Sequence, residues 1–177
     1  MRLVRLAITL YFAATAAAMV WAGTGTSTLT AQTSINTNCT ISTAAITFGN
    51  YNPIGTNLTN HLNATGSVSI TCVKGTAPTI GLSLGNNASG STRRLFDVTA
   101  SDYLLYELYQ PPDNLAGTAC TFPGTTVWGT SGANLLSPGA APNKTARTYN
   151  ICGTVTKAQN PSIGASYSDT VVATVNF

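Results

Sequence analysis

Charge is scarce in this chain: of its 177 residues only 7% are charged, with Lys and Arg together numbering 8 and Asp and Glu 5. A nucleic-acid interface needs a basic patch or stripe. Here Lys74, Arg93, Arg94, Lys144, Arg147 and Lys157 are scattered, which excludes nucleic acid as a partner. Histidine occurs once, as His61, in a polar stretch with Asn60 and Asn63 that reads as a solvated loop. The carboxylates of Asp97, Asp102, Glu107, Asp113 and Asp169 are too sparse to suggest an acid/base pair, and neither a GxSxG elbow nor an HExxH helix is present. The cysteines form no CxxC pair, have no histidines beside them, and match no zinc ribbon or knuckle spacing. The reading is of a protein that is not an enzyme and needs no metal and no cofactor.

What is there begins at the N-terminus. Arg2 and Arg5 precede an apolar run from Leu6 to Val20 that closes on the small-residue site Val20-Trp21-Ala22. The run is shorter than the roughly twenty residues of a membrane-spanning helix and ends in a cleavage pattern, so residues 1–22 read as a secretory signal peptide. The remainder is long enough for one domain with a real core. Its cysteines, Cys39, Cys72, Cys120 and Cys152, form an even set, which in an exported chain implies oxidising conditions and disulfides.

Thr, Ser, Asn, Gly and Val dominate the rest, and β-branched residues punctuated by Gly, Asn and Pro argue for strands and turns. No convincing helix follows the signal peptide. Val68, Ile70 and Cys72 share one face against Ser67, Ser69 and Thr71, and Ile80, Leu82 and Leu84 repeat the pattern against Thr79, Gly81 and Ser83. Tyr103 to Tyr109 is apolar on both faces and reads as a central strand. Tyr149, Ile151 and Val155 alternate with Thr148, Asn150 and Thr154, and Tyr167, Val171, Ala173, Val175 and Phe177 all fall on odd positions. Many short strands with turn-rich spacers suggest a sandwich.

Count alone leaves three disulfide connectivities open. Cys72 lies on the buried face of its strand and Cys39 is in phase with Ile41, whereas Cys152 is on the polar face of its strand and Cys120 is in a loop. That placement favours Cys39–Cys72 and Cys120–Cys152. Each closes a loop of roughly thirty residues, for which chain entropy gives on the order of 3 to 4 kcal/mol.

Between the signal peptide and Cys39, the residues Leu29, Ala31, Thr33 and Ile35 alternate strictly with Thr28, Thr30, Gln32, Ser34 and Asn36. One face is mostly apolar and the other wholly polar. Pattern alone leaves this segment as a disordered leader, an ordinary first strand, or a strand that fills the core of another molecule.

Cys39-Thr40-Ile41-Ser42, then Thr47-Phe48-Gly49-Asn50-Tyr51-Asn52-Pro53 and Cys72, resembles the opening of the spore coat protein U family. Leu105-Tyr106-Glu107-Leu108-Tyr109 with Val127-Trp128-Gly129 resembles its middle, and Gly153, Gln159, Gly164 and Tyr167-Ser168-Asp169-Thr170 its C-terminal signature. That family is similar to the subunits of archaic chaperone–usher pili of the Csu type, secreted fibres that support surface attachment and biofilm formation.

The resemblance implies an all-β fold, an incomplete immunoglobulin-like β-sandwich missing its last strand and completed by donor-strand complementation. It implies residues 23–37 as an N-terminal donor extension, with Leu29, Ala31, Thr33 and Ile35 entering a neighbouring subunit, and residues 38–177 as the pilin-like domain. The acceptor groove would be edged by Ile41, Ile46 and Phe48 on one side and by Val171, Ala173, Val175 and Phe177 on the other. The implied partners are a periplasmic chaperone, an outer-membrane usher, and other copies or related subunits. The route is export to the periplasm and then to the cell surface.

Some positions depart from the family pattern. Cys152 stands where a tyrosine often precedes the glycine, Thr154 where arginine is common, and Ala165-Ser166 lengthens the link between Gly164 and Tyr167. Cys120–Cys152 is therefore expected as a subgroup feature. A fibre-tip adhesin is disfavoured, since such proteins are larger two-domain chains without a donor segment. The alternative class is a secreted monomeric carbohydrate-binding module, or a spore or cell-surface coat protein. In the monomeric module Trp128 and the tyrosines would stack on sugar and the Leu29–Ile35 strand would pair within its own chain. The sequons at Asn38, Asn57, Asn63, Asn87 and Asn143 carry no weight in a chain so rich in Asn and Thr.

Overall fold

The computed structural model describes residues 23–177, so the expected signal peptide over residues 1–22 lies outside the described residues. The chain divides into two units, residues 1–34 and residues 35–177. In the first, residues 23–34 carry no regular secondary structure and are exposed throughout.

The second unit is built from antiparallel strands. β1 (Cys39–Ala44), β2 (Leu62–Cys72), β4 (Arg93–Asp97), β5 (Asp102–Tyr109) and β6 (Arg147–Val155) form a five-stranded sheet in the order β1-β2-β6-β5-β4. β3 (Thr79–Leu82) and β7 (Ala173–Asn176) pair in a second sheet. Alternation supplies the core: Val68, Ile70 and Cys72 of β2, Leu104, Tyr106 and Leu108 of β5, and Tyr149, Ile151 and Val155 of β6 are buried. They meet Ile80 and Leu82 of β3 in one cluster with Trp128 and Leu136.

Arg93 ties the two sheets together. It is wholly buried, pairs with Glu107 of β5, and donates to the carbonyls of Trp128 (2.7 Å), Ser83 (2.8 Å) and Leu82 (3.2 Å). Regular β3 structure ends at Leu82, and beyond it the chain keeps the Ser83 N–H bond to the Val172 carbonyl before turning at Gly85 (φ 89°). Leu84 consequently falls outside the strand and is 38% exposed, contrary to the inward position its phase predicts.

Two further expectations need correcting. β5 is flanked on both sides, as a central strand should be, yet Tyr103 and Leu105 remain 39% exposed. Their face is covered laterally: the Arg94 guanidinium sits 3.9 Å from the Tyr103 ring centroid, and Phe96, the cross-strand partner of Tyr103, stacks at 4.8 Å. A short helix, α1 (Thr56–Thr59), also appears where none was expected. Side-chain chemistry rather than periodicity holds it: the buried Asn57 amide accepts from the Asn52 N–H at 2.8 Å and donates to the Asn60 carbonyl at 3.1 Å.

The structure joins Cys39 to Cys72, which are also register partners across β1 and β2 with Cα atoms 4.1 Å apart, and Cys120 to Cys152 at 5.5 Å. The first fixes the start of β1 to the end of β2. The second anchors the loop between β5 and β6 to the middle of β6.

Candidate functional site

Two chain segments part company and leave a cleft. β1 pairs with β2 from Cys39↔Cys72 to Ala44↔Ser67, and there the ladder stops. Residues 45–48 continue as irregular chain across the face of the sheet, and two bare backbones accommodate them. A Cβ on Gly66 would come within 2.9 Å of the Ala44 carbonyl, and one on Gly153 within 2.8 Å of Phe48 Cζ and 3.3 Å of Ile46 Cγ2. Phe48 thereby meets the Tyr106 ring edge-on at 6.1 Å.

On the opposite side runs the C-terminal strand. β7 is hydrogen-bonded to β3 from Thr79↔Asn176 to Leu82↔Ala173, and the preceding residues continue the same edge. The Ser83 N–H donates to the Val172 carbonyl at 2.9 Å and the Asn86 N–H to the Thr170 carbonyl at 3.1 Å. Among the described residues β3 is the only strand paired with β7, so the other edge of β7 offers its backbone groups unpaired.

Between this edge and residues 43–48 lies a cavity of about 290 Å³, with Leu82, Leu95, Tyr106, Leu108 and Ile151 as its floor. Ile46, Phe48, Leu95 and Asp169 are shared with a second, larger cavity of about 810 Å³, which is also bordered by Leu62, Leu104, Val155 and Tyr167. The two together make one cleft along the sheet face.

Of the residues expected to edge a groove, Ile46, Phe48, Val171 and Ala173 line the smaller cavity. Ile41 and Val175 are half-buried against the core to either side without lining it, and Phe177 is 55% exposed at the end of the strand. The floor residues were visible in the sequence only as core positions of their strands. Asp169 was missed, although it shares the odd phase of Val171, Ala173 and Val175. It is the carboxylate of the cleft: Oδ2 accepts from the Tyr106 hydroxyl at 2.7 Å, and Oδ1 accepts from the N–H groups of Thr170 (2.8 Å) and Asn87 (3.1 Å). Burial and this bond to a carboxylate push the Tyr106 phenol well above the usual tyrosine range, so it stays a donor.

The Leu29–Ile35 segment lies in chain without regular secondary structure, with Leu29 95% and Ile35 80% exposed. Thr33 and Ala31 are exposed as well. Trp128, the aromatic expected to stack on sugar in the monomeric alternative, is wholly buried and donates its indole N–H to the Ile80 carbonyl at 2.9 Å. It is a core residue here, because a Trp N–H with an internal acceptor loses nothing by burial. His61 is exposed and accepts the Lys157 N–H at 3.2 Å. No group of three or more His, Cys, Asp or Glu that could hold a metal occurs among the described residues.

Comparison with known proteins follows the same lines. The model of the Spore Coat Protein U domain matches residues 25–174. Protein U of Myxococcus xanthus is 34% identical over 169 residues, covering 88% of this chain and 87% of that protein. Among solved structures, a chain of the CsuC–CsuE chaperone–tip adhesion subunit pre-assembly complex, from the archaic chaperone–usher Csu pili of Acinetobacter baumannii, superimposes with a TM-score of 0.55 at 20% identity. The match covers 81% of this chain and 40% of that one, so the likeness is one of fold and spans less than half of the solved chain.

Proposed function

This chain belongs to the Spore Coat Protein U domain family, and we propose that it is an exported structural subunit of an adhesive pilus assembled by a chaperone–usher pathway. The observation that carries this reading is the apolar cleft between residues 43–48 and the unpaired edge of β7. In this reading the cleft stands where a strand of an immunoglobulin-like sandwich is absent. In an extended conformation the exposed segment of the same chain would carry Leu29, Ala31, Thr33 and Ile35 on one face, a pattern suited to filling it.

In this reading residues 1–22 are removed on export, residues 23–37 form the donor extension, and residues 38–177 form the acceptor domain. A periplasmic chaperone covers the cleft of each new subunit, the outer-membrane usher catalyses exchange, and the donor strand of the next copy takes the chaperone's place. Burying Leu29 and Ile35 contributes about 1.5–3 kcal/mol each, and each added backbone hydrogen bond roughly 1 kcal/mol. Against a typical domain stability of about 5–15 kcal/mol these are decisive amounts. The contact is heterologous and head-to-tail, so it propagates as a filament rather than closing into a ring. The work of such a subunit is mechanical, supporting surface attachment and biofilm formation, with no catalytic role.

The test is size measurement on oxidised protein from the periplasm, comparing the mature chain with a version deleted from Gly23 through Asn36. SDS-resistant ladders from the mature chain, with the truncated chain single or chaperone-bound, are expected. Stable monomers from both, without a chaperone, would defeat the reading.

A further inference from the structure

Strict alternation in the donor rejects a slip of one residue, since that would turn Thr30, Gln32 and Ser34 into the cleft. It says nothing against a slip of two, which presents the same face. Something else must choose among the registers of even offset.

The donor face is apolar at Leu29, Ala31 and Ile35 but carries a hydroxyl at Thr33. The cleft is likewise apolar along its floor but carries one carboxylate, Asp169, at the junction of its two cavities. Three hydrogen bonds reach that carboxylate, from Tyr106, Thr170 and Asn87, and of these only the Tyr106 bond falls on Oδ2. A carboxylate has about four acceptor sites. Oδ2 lies against the bare backbone of Gly85 on one side and borders both cavities on the other, so an acceptor site facing the cleft is left for one more donor.

Resting on the donor-strand reading above, we infer that Thr33 of one copy donates its hydroxyl to Asp169 of the next, and that this pair keys the register of the fibre. With the donor antiparallel to the C-terminal strand, Thr33 opposite Asp169 sets Leu29 against Ala173 and Ala31 against Val171. Large then meets small at both positions. Ile35 falls opposite Tyr167, beside the larger cavity with its walls of Leu62, Leu104 and Val155. A slip of two in either direction places Ala31 or Ile35 over the carboxylate and carries the Thr33 hydroxyl away from it, opposite Tyr167 or Val171. Either error closes the cleft with the Thr33 hydroxyl away from the carboxylate and forfeits the hydrogen bond between them. A single buried polar residue specifies register in coiled coils by the same logic.

Paired cysteines read the register directly, in the full-length chain secreted with its chaperone. Ala31→Cys with Val171→Cys reports the inferred alignment, while Ala31→Cys with Ala173→Cys and Leu29→Cys with Val171→Cys report the two slips. None of these touches Thr33 or Asp169. After mild oxidation and boiling without reductant, covalent ladders are expected chiefly from the first pair. Adding Thr33→Val should spread them over all three and cut the preference about tenfold, whereas Thr33→Ser should keep it. Ladders strongest from either slip pair, or a Thr33→Val distribution equal to the parent's, would overturn the key while leaving donor-strand assembly in place. Absence of any SDS-resistant ladder in the parent chain would remove the assembly reading and the key with it.

Discussion

The guanidinium of Arg93 donates to the main-chain carbonyl of Trp128 at 2.7 Å, both residues being wholly buried. Through this bond and those to Leu82 and Ser83, the five-stranded sheet holds the segment that carries β3, and β3 in turn holds β7 at the edge of the cleft. A cation in the core thus bears on the shape of a groove it does not line.

Replacing Arg93 with methionine should be costly, because the carbonyls of Trp128, Ser83 and Leu82 lose a donor and Glu107 keeps only the Leu108 N–H. Breaking a buried pair from one side costs about 3–5 kcal/mol. Arg93→Lys should recover little of this, since one ammonium cannot span acceptors on Trp128, Ser83 and Glu107. Urea unfolding followed by circular dichroism measures it. A loss under about 1 kcal/mol for Arg93→Met would refute the sheet-bridging role.

Gly153→Val should damage the cleft without touching its polar groups. The added Cβ would lie 2.8 Å from Phe48 Cζ, driving Phe48 and Ile46 off the face of β6. Overpacking of this kind costs about 1–3 kcal/mol. Fluorescence of an apolar dye should rise as the cleft widens. A variant with parental stability and dye binding would mean that residues 45–48 are not seated on β6.

The disulfides should divide their labour. Removing Cys120–Cys152 by paired serine substitutions is expected to cost about 2–5 kcal/mol of unfolding free energy while leaving ladder formation intact. Removing Cys39–Cys72 should cost a similar amount and also weaken assembly, because that bridge fixes β1, whose continuation walls the cleft. Equal assembly from both variants would contradict the division.

Acid should loosen the chain through Asp97. Its carboxylate accepts the N–H groups of Ala100 (2.9 Å), Ser166 (2.6 Å) and Thr99 (2.8 Å), which hold it below the ordinary aspartate value of 3.8. A depressed value means that the unfolded chain takes up its proton first as pH falls. The contribution of Asp97 is therefore complete above about pH 4 and disappears as pH drops through the lower, folded value. Asp102 and Asp113 are held down in the same way, chiefly by the Ser162 N–H and the Thr118 hydroxyl. Asp97→Asn should flatten the loss of stability between about pH 4 and 2 in a urea-midpoint series. An unchanged slope would show that these bonds do not favour the ionised form.

Much of the core could be read before any tertiary contact was known. Val68, Ile70 and Cys72 of β2 and Tyr149, Ile151 and Val155 of β6 face inward as their alternation predicts, because a pleated strand sends successive side chains to opposite faces whatever lies beyond it. The alternation of Leu29, Ala31, Thr33 and Ile35 with polar residues is likewise a property of the chain itself. Leu84, Arg93 and Asp169 were not legible in this way. A leucine in phase with Leu82 is turned out when its strand stops, an arginine between Thr92 and Arg94 carries no mark of burial, and an aspartate in a signature motif does not say which tyrosine it will meet.

Local covalent geometry accounts for the division. Period-two alternation, turn residues and an even set of cysteines act over a few residues, so the sequence by itself determined an all-β chain, the inward faces of its longer strands and cysteines available to pair. Which strands become neighbours depends on contacts between residues far apart in the chain. Only the tertiary structure decided that β7 would pair on one side, that residues 45–48 would leave β2 where Gly66 and Gly153 make room, and that a cleft with one carboxylate would lie between them.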